Sequence, residues 1–148
     1  MASISSIKEC VRSLVDSEAP QGHVLVVYLF GSFARGQERA KSDIDIAFLV
    51  DRARYRADAF EATAPLHMIA GKMGIELGHE VDVTILNAAS LEMAFEVVSC
   101  GKCLFEIDSE VRLQYEIKIR GMYFDFQPFL SGLRARKIAS LGALGAQQ

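Results

Sequence analysis

Two aspartates separated by one residue, Asp43 and Asp45, stand at the head of the apolar run that ends at Val50, and a third, Asp82, opens the run Val81-Asp82-Val83-Thr84-Ile85-Leu86. In an extended strand alternate side chains leave on the same side. The carboxylates of Asp43 and Asp45 therefore share one face, while Ile44 and Ile46 take the other. Like charges at that spacing repel, and the usual compensation is a divalent cation bound through oxygen ligands. Three carboxylates on one rim form the donor set of a two-metal site. Upstream, the run Val24-Leu25-Val26-Val27-Tyr28-Leu29-Phe30 ends in Gly31-Ser32. That step offers open backbone N–H groups, a small hydroxyl and room for a phosphate to approach the main chain.

These residues dictate the arrangement of the elements that carry them. Val24–Phe30 is short and rich in valine, which suits a strand buried on both faces. Ten residues separate Ser32 from Asp43, enough for a short helical or looped return. If the Gly-Ser step and the aspartates are to hold one triphosphate–metal unit, the end of the first strand must lie beside the start of the second, so the two are antiparallel neighbours. A third strand parallel to the second brings Asp82 to the same edge. The expected fold is α/β (α+β): a small mixed sheet with strands one and two antiparallel and strand three parallel to two, flanked by helices.

Ile4, Ile7, Val11, Leu14 and Val15 recur at helical spacing over residues 3–17, with Ser3 as the N-cap or Ser6 and Glu9 as an alternative capping box. Ala19-Pro20-Gln21-Gly22 ends that helix. Asp51-Arg52-Ala53-Arg54-Tyr55-Arg56 reads as a polar exit from strand two. A helix through Phe60, Leu66, Ile69 and Met73 follows, kinked or split at Pro65, and Gly71, Gly74 and Gly78 loosen the chain before strand three. Leu91, Ala94, Phe95 and Val98 mark another helix, capped at Asn87 or Ser90 and stopped by Gly101. Cys103-Leu104-Phe105-Glu106 reads as a short edge strand. From Ser109 a long helix carries Val111, Tyr115, Ile119, Met122 and Phe126, and Pro128 kinks or ends it. Residues 1–148 are expected to form one domain, with 109–136 a C-terminal helical segment and 137–148 a frayed tail.

Between strands one and two, Arg35, Arg39 and Lys41 place three positive charges beside the Gly-Ser step, with Glu38 among them. Arg35 is the preferred phosphate partner, because Ser32 to Gly36 reads as a first helical turn with its N-terminus at the anion. The histidines carry no comparable pattern. His23 at the mouth of strand one reads as a bystander, and His67 has no ligand partner at helical spacing. Glu76, His79 and Glu80 flank the loop before Asp82; any of them can face a substrate, but the carboxylate already at Asp82 leaves them without a required role. Cys100-Gly101-Lys102-Cys103 lacks a second pair for zinc and reads as two small half-buried thiols around a helix-ending glycine.

Composition narrows the partners. The hydrophobic fraction of 51% and only three prolines argue against disorder. A net charge of −3 and an isoelectric point near 5.6 give no electrostatic footprint for nucleic acid, so a protein or small-molecule acceptor fits better. The N-terminus carries no basic segment followed by an apolar one, and no apolar run approaches the length of a membrane span. The expected location is cytoplasmic, with no membrane partner.

Gly31-Ser32, ten residues, Asp43-x-Asp45 and a later Asp82 resemble the signature of the polymerase-β-type nucleotidyltransferases. In so short a chain they resemble most the minimal nucleotidyltransferases (MNT), including the antitoxin halves of HEPN–MNT toxin–antitoxin pairs. Arg120-Gly121-Met122-Tyr123-Phe124-Asp125-Phe126-Gln127-Pro128 is also similar to the C-terminal helix of that group. The resemblance implies transfer of AMP from ATP to a hydroxyl, with pyrophosphate leaving. It implies two Mg²⁺ ions on Asp43, Asp45 and Asp82, with the same aspartates catalytic, and the nucleotide held by Gly31, Ser32 and Arg35. The acceptor it implies is a tyrosine of a HEPN-type toxin, in a homo- or hetero-oligomer. Transfer to a small molecule such as an aminoglycoside needs more substrate-binding structure than residues 109–148 provide. A glycosyltransferase reading of Asp43-x-Asp45 sits poorly with the preceding Gly-Ser. A non-catalytic module that blocks its partner sterically keeps the fold but leaves the intact acids without a task.

Overall fold

The computed structural model describes residues 2–146. Four strands form one sheet in the order β3-β2-β1-β4: β1 is Val24–Phe30, β2 Ile44–Val50, β3 Val81–Ile85 and β4 Lys102–Glu106. β1 runs antiparallel to both β2 and β4, and β3 runs parallel to β2. This is the mixed sheet the residue pattern requires, with β3 and β4 at the edges.

Period-two alternation sends the central strands' side chains into two cores. Val27 and Leu29 of β1 with Ile44, Ile46 and Phe48 of β2 pack under α1 (Ile4–Glu18) and α4 (Ala59–Leu77). Val26 and Tyr28 with Ala47 and Leu49 pack under α5 (Leu91–Cys100) and α6 (Ser109–Ala146). A polar contact fixes the second layer: the Tyr28 hydroxyl donates to buried Glu116 of α6 at 2.9 Å, and Arg112 and Arg120 bracket the same carboxylate at 3.2 and 3.5 Å. Burial and the neighbouring carboxylate push the Tyr28 phenol up, so it stays a donor.

Several expected boundaries move. Ser3 caps α1, and its capping box closes on Ser6 rather than running from Ser6 to Glu9. Asp51-Arg56 is not a bare exit: the Asp51 carboxylate caps a short helix, α3 (Arg52–Ala57). The break between helices falls at Asp58, whose carboxylate caps α4, and Pro65 lies inside that helix without splitting it. One missing N–H is tolerated there, because Leu66, Ile69 and Met73 anchor the helix in the core on the following turns. Gly71 and Gly74 belong to α4, and only Gly78, at φ +71°, performs the expected turn, as the left-handed C-cap. The expected tail is helical too. α6 runs through Pro128, Gly142 and Gly145 to Ala146, in a stretch dominated by good helix formers such as Leu, Ala, Arg and Lys; 147–148 lie outside the described residues.

No helix among the described residues is long and apolar enough to cross a membrane. The Tyr28–Glu116 bond predicts that Tyr28→Phe lowers unfolding stability by about 1.5 kcal/mol in urea titration, since the hydroxyl it removes serves a buried carboxylate.

Candidate active site

β1 ends at Phe30, which faces Asp45 across the antiparallel ladder. Directly after it, Gly31–Ala34 closes into a single helical turn, α2, with Arg35 at its C-terminal end. Gly31 sits at φ +73°, in the left-handed region that L side chains avoid. A Cβ placed there would stand 2.2 Å from Asp45 Oδ2, so the backbone of the turn lies against that carboxylate with no space for a methyl group. The sequence marks Gly31 as a phosphate approach, and the fold adds a second reason for glycine at that position.

The ladder between β2 and β3 sets Asp45 opposite Asp82, and Ile44 N–H donates to the Glu80 carbonyl at 2.9 Å just before it. Side chains paired across a parallel ladder share a face, so Asp82 joins Asp45 on the α5 side of the sheet, and Asp43 falls on that side by alternation. Asp43 and Asp82 are exposed and Asp45 is half-buried. Burial first, then the charges of Asp82 and Asp43, raise the Asp45 carboxyl above its ordinary value, while Arg35 opposes them. Asp43, Asp82 and Arg35 are thus each within electrostatic reach of Asp45. Arg35 folds back, its Nε donating to the Gly31 carbonyl at 3.3 Å.

Among the described residues no group of three His, Cys, Asp or Glu side chains is placed to hold a metal ion. The trio is an open rim of mutually repelling carboxylates. As a donor set it fits Mg²⁺, a hard cation that takes carboxylate oxygens from the protein and keeps its remaining positions for water and phosphate.

Arg39 and Lys41 are exposed, and the loop bearing them is tied by Arg39 N–H to Ser42 Oγ at 2.7 Å. Glu38, directly before Arg39 in sequence, is half-buried, and its Oε2 is shielded without a hydrogen-bond partner. His23 lies at the other end of β1, buried beside Arg54 at 3.3 Å, and burial lowers its pKa. The two thiols of Cys100 and Cys103 are free.

The residue that sequence reasoning passed over is His79. Its Nδ1 lies 3.1 Å from the Ser42 carbonyl, immediately before Asp43, and its ring meets Phe33 of α2 edge-on at 5.2 Å. One imidazole therefore touches the turn after Gly31 and the loop before Asp43, from the segment that leads into Asp82. It links the segments that carry Gly31, Asp43 and Asp82. The only signal in the sequence was its position three residues before Asp82.

Two outcomes follow from this geometry. Gly31→Ala should lower stability by about 1–3 kcal/mol in thermal or urea unfolding, because a strained φ is combined with a steric clash on Asp45. Asp45→Asn should instead raise the unfolding midpoint of the protein in EDTA. The folded state raises the Asp45 pKa, so the fold favours the protonated form. The charge therefore destabilises the fold at neutral pH, and the penalty disappears as pH falls below the ordinary carboxylate value of 3.8. A difference scanning calorimetry series from pH 7 to pH 3.5 should show the variant's advantage shrinking with acid.

Comparison with known proteins agrees with this geometry. The family model described as polymerase beta, nucleotidyltransferase, matches residues 14–110. The protein adenylyltransferase MntA of Shewanella oneidensis is 33% identical over 102 residues, which are 69% of this chain and 68% of that protein. A crystal structure of a toxin–antitoxin with AMP-PNP contains a chain that superposes with a TM-score of 0.69 at 25% identity, covering 88% of this chain and 98% of the other. A structure of tri-AMPylated Shewanella oneidensis HEPN toxin in complex with MNT antitoxin gives 0.66 at 22% identity, covering 91% and 98%, and shares the fold. With the sheet order, the glycine turn and the acids on two adjacent strands already in place, this chain belongs to the polymerase-β-type nucleotidyltransferase family.

Proposed function

We propose that this protein transfers AMP from ATP to a tyrosine hydroxyl of a HEPN-type toxin and thereby silences it. The observation that carries the reading is the packing of the Gly31 turn against Asp45 on the rim shared with Asp43 and Asp82, which sets side-chain-free backbone beside three oxygen donors. The similarity to a protein adenylyltransferase supports AMP as the transferred group. The similar chain crystallised with AMP-PNP supports ATP as the donor, and an ATP-consuming reaction is consistent with a cytoplasmic protein.

Asp43, Asp45 and Asp82 would hold two Mg²⁺ ions, which supply charge neutralisation for the triphosphate and the departing pyrophosphate. The chain's own groups do the rest. Gly31 N–H and the Ser32 hydroxyl hold the terminal phosphates, and Arg35 adds a cation beside them; their contribution is alignment. Asp82, on the outer strand and open to solvent, faces the incoming hydroxyl. As the acceptor oxygen bonds to the α-phosphorus, the bond to the β-phosphate breaks, pyrophosphate leaves, and the hydroxyl proton passes to Asp82. His79 keeps the loop before Asp43 and the turn after Gly31 aligned while this happens.

The test is incubation with Mg²⁺, α-labelled ATP and the purified product of the adjacent gene, followed by mapping of the label. The expected result is AMP on a tyrosine of that protein, lost with EDTA and reduced about 10²- to 10³-fold in Asp43→Asn. Label that persists undiminished in Asp43→Asn would falsify the mechanism, and a tight, unlabelled complex would favour neutralisation by steric blockade.

A further inference from the structure

α6 has a surface that transfer chemistry does not use. Its apolar residues fall at an uninterrupted four-three spacing: Tyr115, Ile119, Met122, Phe126, Phe129 and Leu133. Tyr115 and Ile119 pack into the core beneath α5, and Tyr123 beside the stripe stacks on Phe95. From Met122 onward the same stripe leaves the body. Met122 is 38% exposed, Phe126 50%, Phe129 63% and Leu133 45%. A contiguous row of large apolar side chains in water marks an interaction surface. The four-three repeat is the seam of helix-on-helix packing, so the shape it fits is another helix.

Charge decides whose helix. Just past the stripe, Arg134 pairs with Glu92 of α5, whereas Arg136 and Lys137 form no ion pair among the described residues. The end of α6 is therefore basic on a protein whose net charge is −3. A second copy aligned in parallel would set Arg136 and Lys137 against themselves. The antiparallel register that matches Met122 with Leu133 and Phe126 with Phe129 sets Lys137 opposite Lys118, next to Arg120. Each of these two registers brings like charges together, which is unfavourable. An amphipathic helix with acidic flanks satisfies the stripe and the cations together.

We infer that the projecting half of α6 docks a helix of the toxin, with an apolar stripe on Met122, Phe126, Phe129 and Leu133 and acids facing Arg136 and Lys137. The toxin's identity rests on the function proposed above; the docking does not rest on catalysis. α6 then acts as a tether, and the sheet edge acts on whatever the tether delivers.

The experiment compares wild type with the double variant Phe126→Glu/Phe129→Glu, whose sites are solvent-exposed, after unfolding curves have shown equal stability. Calorimetric titration with the purified product of the adjacent gene should show affinity about 100-fold weaker or worse. AMP transfer to a short tyrosine peptide should be unchanged. Arg136→Glu/Lys137→Glu should weaken the complex about tenfold, and added salt should weaken the wild-type complex in the same direction. Unchanged toxin affinity in the double variant overturns the inference. So does light scattering that finds a wild-type dimer dissolved by the same substitutions, since the stripe would then belong to a second copy. Absent peptide labelling with toxin binding still lost in the variant would sink the catalytic reading and leave the docking surface standing.

Discussion

Three carboxylates that repel one another are held on one rim of the sheet, and one of them is pressed against a glycine that has no room for a side chain. Locally, Arg35 offsets that repulsion only in part. Asp45 is half-buried and its charge is opposed by Asp82 and Asp43, so the rim is a stored electrostatic cost that the two hydrophobic cores must cover. Ile44 and Ile46, buried on either side of Asp45 in sequence, anchor the strand so that the acid cannot retreat. Under the function proposed above, cations and phosphate would offset that cost, so the rim would be built for its ligand rather than for stability.

The layers divide this labour. α1 and α4 cover one face of the sheet and fix β2 and β3, the strands that bear the acids. α5 and α6 cover the other, tied through the buried Tyr28–Glu116 contact and the Phe95–Tyr123 stack. His79 is the link between these scales. It belongs to the segment joining α4 to β3, yet its contacts are with Phe33 and the Ser42 carbonyl, so the packing of a helix is transmitted to the spacing of the site. Gly74 shows how tight that joint is, for a Cβ there would meet the His79 carbonyl at 2.9 Å.

The departures from expectation share a cause. Pro65 and Gly71 have strong local preferences, and a reading by local preference ends or loosens a helix at each. In the fold, Leu66, Ile69, Ala70 and Met73 bury enough apolar surface to carry α4 straight through both. Asp51 and Asp58 went unnoticed as caps for a related reason: a capping carboxylate is visible only when the chain beyond it is known to be helical, and the arginines of α3 carry no apolar stripe. The same logic applies to α6, whose continuation past Gly142 depends on average helix propensity rather than on any one residue.

By itself the sequence determined the strands, their direction and which residues stand at their ends. Apolar runs of strand length, a glycine-serine step and acids at alternate positions leave few ways to bring a phosphate and a cation together. It did not determine that Gly31 lies against Asp45, that His79 spans two distant segments, or that the seam of α6 runs out of the core into solvent. Those depend on contacts between residues far apart in the chain, whose distances are set only when two layers close on one sheet. Periodicity reports which side of an element faces inward, and only packing decides what it meets there.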